Sequence, residues 1–517
     1  MKNIFCAMAI LAVVSAQGAN FSNPVLPGDF PDPSVIRAGD DYWATATTSE
    51  WAPLFPLLHS RDLVNWEHVG NVFGRRPDWA VGNFWAPEIA EHNGKFFVYY
   101  VGRKKGGPLS LACATADDPR GPWTDHGPMV GQDAGSIDAV PVTDRDGSRW
   151  LIWKEDGNSR KQPTPIWIQR LSEDGTKLVG QPAEIMRNDK PWEGALVEGP
   201  FVQRHGEYFY MFYSGAGCCG RDCNYALGVA RAKNLLGPWE KNPANPILDG
   251  NAVWKCPGHG SIVTTKDGRD FLLYHAYDSK SFVYVGRQGV LDEIDWGTNG
   301  WPKINEGRGV STNYVAPLAA ATPVQSMDFS DDFSRPKLKP QWQWPVSTEP
   351  RVDLAGGKLS LRATTGDEDA FTASVLGLKT TSGDYSASTK IDVSALKAAQ
   401  TVGISAFGDR QNALGASVRD GKLVVWKRQR SKHENLSTNA LPKVTSLFLR
   451  LNATAGHRFS FSTSTDGKVW SEVAGNIDVE GNYLPPWDRG VRVALVVGGP
   501  EAHGVFDDVR VSVAEKK

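Results

Sequence analysis

Three acidic residues stand out by position: Asp32, Asp138 and Glu198 each lie seven to nine residues before a glycine that opens an aromatic-rich run. Carboxylates at equivalent points of repeated strands are costly to bury unless they do chemistry or find partners. The reaction that needs two separated carboxyl groups of unlike acidity is glycoside hydrolysis. One protonates the departing oxygen, the other activates water on the opposite face of the sugar, and a third carboxylate can tune the acid by repulsion. Counting back from the five glycines gives Asp32, the Trp85 to Pro87 stretch, Asp138, Glu198 and His259. No Gly-x-Ser-x-Gly elbow or phosphate loop offers a rival mechanism.

The elements that must position these residues repeat. Gly39, Gly94, Gly147, Gly206 and Gly268 are spaced by 55, 53, 59 and 62 residues, and each precedes a strand such as Phe96 to Tyr100 or Tyr208 to Tyr213. Trp66, Trp123 and Trp239 mark the outer end of the same unit. A period of this length accommodates four short strands, the unit of a propeller blade, and predicts a five-bladed β-propeller whose innermost strands line a central funnel. From Met327 the pattern changes to alternating strands separated by Gly and Asp turns, which predicts a β-sandwich. The expected all-β organisation is a leader over 1–19, a propeller over 20–316, a linker over 317–326 and a sandwich over 327–517.

Composition agrees with this class. The 517 residues carry 56 Lys and Arg against 58 Asp and Glu, and include 19 Trp, 53 Gly and 33 Pro. The balanced charge excludes the basic footprint of a nucleic-acid binder and points to a neutral partner, an oligo- or polysaccharide. Lys2, the apolar run Ile4 to Val14 and the small residues at Ala16, Gly18 and Ala19 read as a secretory signal, too short to span a bilayer. Export to the medium or the periplasm is therefore expected. Five cysteines follow that leader: Cys113, Cys218, Cys219, Cys223 and Cys256. The odd count predicts a free thiol, and the Cys218-Cys219 pair is expected on a loop near the funnel mouth, with one of them bridged to Cys223 or Cys256.

The run Asn23 to Val35, which contains Asp29-Phe30-Pro31-Asp32-Pro33, together with Ser136-Ile137-Asp138 and Glu198-Gly199-Pro200-Phe201, resembles glycoside hydrolase family 43. Supporting matches are Ser60 to Trp66, Trp85-Ala86-Pro87-Glu88 and Pro257 to Ser261. The resemblance implies a five-bladed propeller that inverts anomeric configuration, with Asp32 as general base, Asp138 as modulator of acidity and Glu198 as general acid. It sets aside Asp29 and Glu193 as neighbours that lack the motif. By the same resemblance His259 and Arg287 are substrate-site residues, and His259 is the candidate for a structural calcium; no cofactor is required for turnover. Trp85 and Trp51 are expected at the rim, where they would border the sugar.

The C-terminal segment resembles the concanavalin-like modules appended to some members, either a carbohydrate-binding module or a domain that packs on the propeller and shapes its pocket; the second is the expectation here. The implied activity is exo-acting removal of α-L-arabinofuranosyl or β-D-xylosyl units from plant-type polysaccharide side chains. The alternatives are action on galactan or arabinan, and a sugar-binding propeller without turnover.

Overall fold

A computed structural model describes residues 20–317, 327–363, 366–473 and 478–513. The expected leader, and all of the expected linker but Pro317, lie outside the described residues. Five four-stranded antiparallel sheets follow one another along the first part of the chain. Their innermost strands are Ser34–Ala38, Trp85–His92, Ser136–Thr143, Val197–His205 and Trp254–Thr264. Each innermost strand packs beside the next, and the fifth returns to the first, so the blades close into a ring. Asn20–Ser22 pairs antiparallel with Asn313–Val315 and ties the two ends of the propeller together. The Asn23 side chain reinforces this closure through Leu291 and Ser311 on the last blade.

The turn glycines and the aromatic runs explain why the blades form. Gly39, Gly94, Gly147, Gly206 and Gly268 all adopt φ between +58° and +83°, where side chains with a Cβ are disfavoured. The strands they open are apolar on both faces because each blade is covered on both sides by its neighbours. In Tyr208–Gly215, Tyr210 and Phe212 join the core shared with the fifth blade, whereas Phe209, Met211 and Tyr213 join the core shared with the third. Tyr42 and Trp43 divide in the same way between blades five and two.

The second domain is a sandwich of a nine-stranded sheet and a six-stranded sheet. Alternate residues of facing strands form its core, for instance Tyr385, Ala387 and Ile391 against Val402, Ile404 and Ala406. The other face of the six-stranded sheet is not left to solvent. Phe371, Phe407 and Trp426 on that face enclose Trp51 from the propeller.

Trp51 thus departs from the sequence expectation. It is 2% exposed, meets Phe407 edge-on at 5.8 Å and sits in a two-residue strand paired with Trp344–Pro345. Burying so large an apolar ring against the sandwich outweighs leaving it at the funnel rim. Asp29, set aside from catalysis, anchors the same junction: it accepts Arg492 Nη2 at 3.0 Å and the Gly490 N–H at 3.1 Å. Both members of this ion pair are buried. Arg492→Met is expected to destabilise the joined domains by about 3–5 kcal/mol, because it strands the Asp29 carboxylate. The denaturant midpoint should fall accordingly, and Asp29→Leu/Arg492→Met should recover most of the loss. Glu193 is likewise structural, with Lys241 at 2.7 Å and the Tyr213 hydroxyl at 2.7 Å.

Candidate active site

A cavity of about 330 Å³ opens at the centre of the ring. Asp32, Asp138 and Glu198 all line it, together with Trp85, His259 and Arg287. The backbone explains how inner strands aim such side chains at the axis. Asp32, Ala86, Asp138, Gly199 and His259 occupy equivalent points of the five blades and all have positive φ, from 38° to 60°. The ladders slip at this level, between Trp85 and Glu88, Ile137 and Val140, Glu198 and Phe201, and Lys255 and Gly260. These bulges turn the strand ends inward at the cost of local strain. At Gly199 a Cβ would stand 2.8 Å from the His259 ring, so both conformation and space require glycine there.

Asp32 is held as a carboxylate. Its Oδ1 accepts Arg287 Nη1 at 2.8 Å and its Oδ2 accepts the Thr47 hydroxyl at 2.7 Å. Burial alone would raise its pKa, but the Arg287 charge and the neighbouring His259 imidazole pull it far below the usual carboxylate range. The Asp32 N–H donates to Nδ1 of buried His275 at 3.1 Å, and burial with the nearby Arg287 charge pushes that imidazole down to about 4. A neutral ring with an acceptor at Nδ1 satisfies both observations.

Glu198 and Asp138 behave differently. Glu198 Oε2 receives the ammonium of Lys154 at 2.7 Å, and Lys154 also reaches Asp156 at 3.0 Å. Burial raises Glu198, yet the Lys154 charge and hydrogen bond more than offset it and hold the group below its ordinary value. Asp138 accepts the Gly199 N–H at 2.9 Å. Burial, joined by the charge of Glu198, pushes Asp138 up to about 6 against the pull of His259 and Lys154. Lys154 and Arg287 thus offset part of the charge of Asp32, Asp138 and Glu198, and the repulsion between Asp138 and Glu198 favours protonation of Asp138.

His259 Nδ1 lies 3.5 Å from Asp32 Oδ1, which Arg287 already occupies, and the next ring is His275. Among the described residues no group of three or more His, Cys, Asp or Glu is arranged to hold a metal.

Several cavity residues were not singled out from the sequence. Lys154 lines the cavity and His275 lies buried behind Asp32; each follows an apolar run in a second strand, Trp150-Leu151-Ile152-Trp153 and Phe271-Leu272-Leu273-Tyr274, and a polar residue there was the available signal. Trp487 and Asp488 reach the cavity from the sandwich, which no local pattern reveals. Trp487 meets Trp85 edge-on at 6.0 Å, and the Asp488 carbonyl accepts Arg287 Nη2 at 3.1 Å. The Asp488 carboxylate is fixed by the Ser49 hydroxyl at 2.8 Å. Cys218 and Cys219 line the cavity, but the cysteines pair otherwise than expected: Cys218 bonds Cys219, Cys223 bonds Cys256, and Cys113 is the free, buried thiol.

Comparison with known proteins places this architecture. The pattern of Glycosyl hydrolases family 43 matches residues 21–302, and that of the Beta xylosidase C-terminal Concanavalin A-like domain matches residues 330–486. A xylosidase/arabinosidase of Butyrivibrio fibrisolvens is 31% identical over 57% of this chain and 58% of its own length. A non-reducing end alpha-L-arabinofuranosidase of Bacteroides ovatus is 26% identical over 88% of each chain. The crystal structure of the GH43 protein BlXynB from Bacillus licheniformis superposes with a TM-score of 0.83 at 26% identity, covering 96% of this chain and all of that one. With the family pattern matched over more than half its residues and the same two-domain architecture in a solved relative, the chain belongs to glycosyl hydrolase family 43.

Proposed function

We propose that this protein is an inverting, exo-acting glycosidase that releases α-L-arabinofuranosyl or β-D-xylosyl units from polysaccharide side chains. The observation that carries the reading is the unequal treatment of three carboxylates around one cavity: Arg287 pairs with Asp32 and holds it low, whereas burial and the neighbouring Glu198 charge raise Asp138. Asp32 takes a proton from water as that water attacks the anomeric carbon. Glu198 gives a proton to the departing oxygen on the opposite face. Lys154 stands ready to neutralise the carboxylate that Glu198 becomes, which strengthens it as an acid in the transition state. Asp138 sustains the shared proton and orients the strand at Gly199. The small cavity, walled on one side by Trp487 and Asp488, suits a chain end better than a chain passing through. Relatives named as xylosidases and arabinofuranosidases support the choice of sugar. The two disulfides support export to an oxidising compartment.

The test is hydrolysis of nitrophenyl α-L-arabinofuranoside, β-D-xyloside and β-D-galactoside, with NMR of the first product. Release of arabinose or xylose with inverted configuration is expected. Cleavage confined to the galactoside, or a retained configuration, would reject the reading.

The pH profile follows from the same charges. The Asp138–Glu198 pair must carry a proton, so kcat/KM should be highest at acidic pH and fall as pH rises through about 6. The acidic side should stay level over the range in which the protein is folded, because Asp32 remains ionised. Lys154→Met removes the cation that favours the ionised pair and should move the falling limb upward by about one pH unit or more. A limb that stays in place would uncouple Lys154 from the acid.

A further inference from the structure

The loop from Ala216 to Asn224 carries two disulfides within a few residues, and one of them joins neighbours in the chain, Cys218 and Cys219. Both of these cysteines line the cavity that holds Glu198. The loop leaves the strand Tyr208–Gly215, in which Ser214 pairs with Glu198, so the bridged pair begins four residues beyond the acid's cross-strand partner. It therefore stands on the side of the cavity where the acid meets the departing oxygen.

The loop is braced from several directions. Gly217 and Asn224 exchange hydrogen bonds at 2.8 and 3.0 Å. The Gly220 N–H donates to the Tyr277 hydroxyl at 3.3 Å, and Arg221 reaches both the Tyr284 hydroxyl, at 3.1 Å, and the Asn482 carbonyl of the sandwich. A bridge between Cys223 and Cys256 ties its far end to the fifth blade. With so much bracing already present, a second bridge between adjacent residues adds little to the anchoring of the loop. What it does change is the surface shown to the cavity.

A disulfide between neighbours closes a small ring that removes the side-chain freedom of both cysteines. It presents two fixed methylene-sulfur groups with no hydrogen-bond donor. Such a face attracts the C–H face of a sugar by dispersion and gives up almost no conformational entropy on contact. Two open thiols would have to be ordered first. We propose that the Cys218–Cys219 ring is the contact surface for the sugar on the leaving-group side, a specificity element for the saccharide to which the released unit is attached. The proposal rests on the glycosidase reading above.

The experiment compares the full-length protein with Cys218→Ala/Cys219→Ala on two substrates of the sugar that the wild type releases. One is the disaccharide, xylobiose or arabinofuranobiose; the other is the glycosyl fluoride, which places no sugar on the leaving-group side. On the disaccharide kcat/KM should fall about tenfold, chiefly through KM, while the fluoride should change by less than about twofold. An unchanged disaccharide rate would overturn the proposal, and so would equal losses on both substrates, which would make the ring a brace alone. A wild type that cleaves neither substrate would instead remove the glycosidase reading. Should the double variant not fold, the intact ring can be followed in Glu198→Gln by the rate of its reduction with a phosphine. Saturating disaccharide should slow that reduction and the monosaccharide should not; equal rates with both would likewise overturn the proposal.

Discussion

Glu198→Gln should lower kcat/KM on natural glycosidic linkages by about 10²- to 10⁴-fold, the range contributed by a positioned general acid. The amide keeps the size of the side chain and can still accept from Lys154, so the cavity should remain intact. Only the proton is lost. The loss should accordingly be much smaller on aryl glycosides whose leaving group is acidic enough to depart unprotonated, and the falling limb of the pH profile should vanish on those substrates. Steady-state rates on a disaccharide and on a dinitrophenyl glycoside check both statements. Equal losses on the two would reassign the acid, and Asp138, the member of the pair with the raised pKa, would be the next residue to examine.

Deleting residues 327–517 should cost on the order of a hundredfold or more even on small aryl glycosides, since displacing catalytic groups by about 1 Å has that effect. Three contacts carry the expectation. The Asp488 carbonyl holds the guanidinium that pairs with Asp32, Arg492 neutralises buried Asp29, and Trp487 with Asp488 forms one wall of the cavity. The truncated propeller would also expose Trp51, now enclosed by Phe407 and Trp426, and should be poorly soluble. The measurement is the activity of the isolated propeller on a nitrophenyl glycoside and on polymer. A soluble truncation with full activity on the small substrate, impaired only on polymer, would make the sandwich a tethered binding module instead.

Much of this molecule is legible residue by residue. The glycines that turn each blade recur at a near-constant interval, and the aromatic strands between them carry apolar side chains on both faces. Blade number, strand order and the inward-facing points follow from those local features, because turn conformation and strand periodicity are properties of a few consecutive residues. The three carboxylates were legible for the same reason. Asp32 and Asp138 occupy the repeat position where other blades carry Ala86, Gly199 or His259, Glu198 stands one residue before it, and a charged residue is conspicuous there.

What the tertiary structure alone decided are the partners. Asp29 and Asp32 are three residues apart in one motif, yet Asp29 meets Arg492 and Asp32 meets Arg287, so one anchors the second domain and the other faces the cavity as a carboxylate. Trp51 and Trp85 both looked like rim aromatics, and only docking of the sandwich buries the first while leaving the second on the cavity. Lys154 pairs with Glu198 and lowers it while Asp138 is raised, and the pairing of Cys218 with Cys219 shapes the wall beside them. Each of these outcomes depends on the desolvation and charge that arise when segments far apart in the chain are brought together. Closure of the ring and packing of the second domain create those environments, and no stretch of consecutive residues contains them.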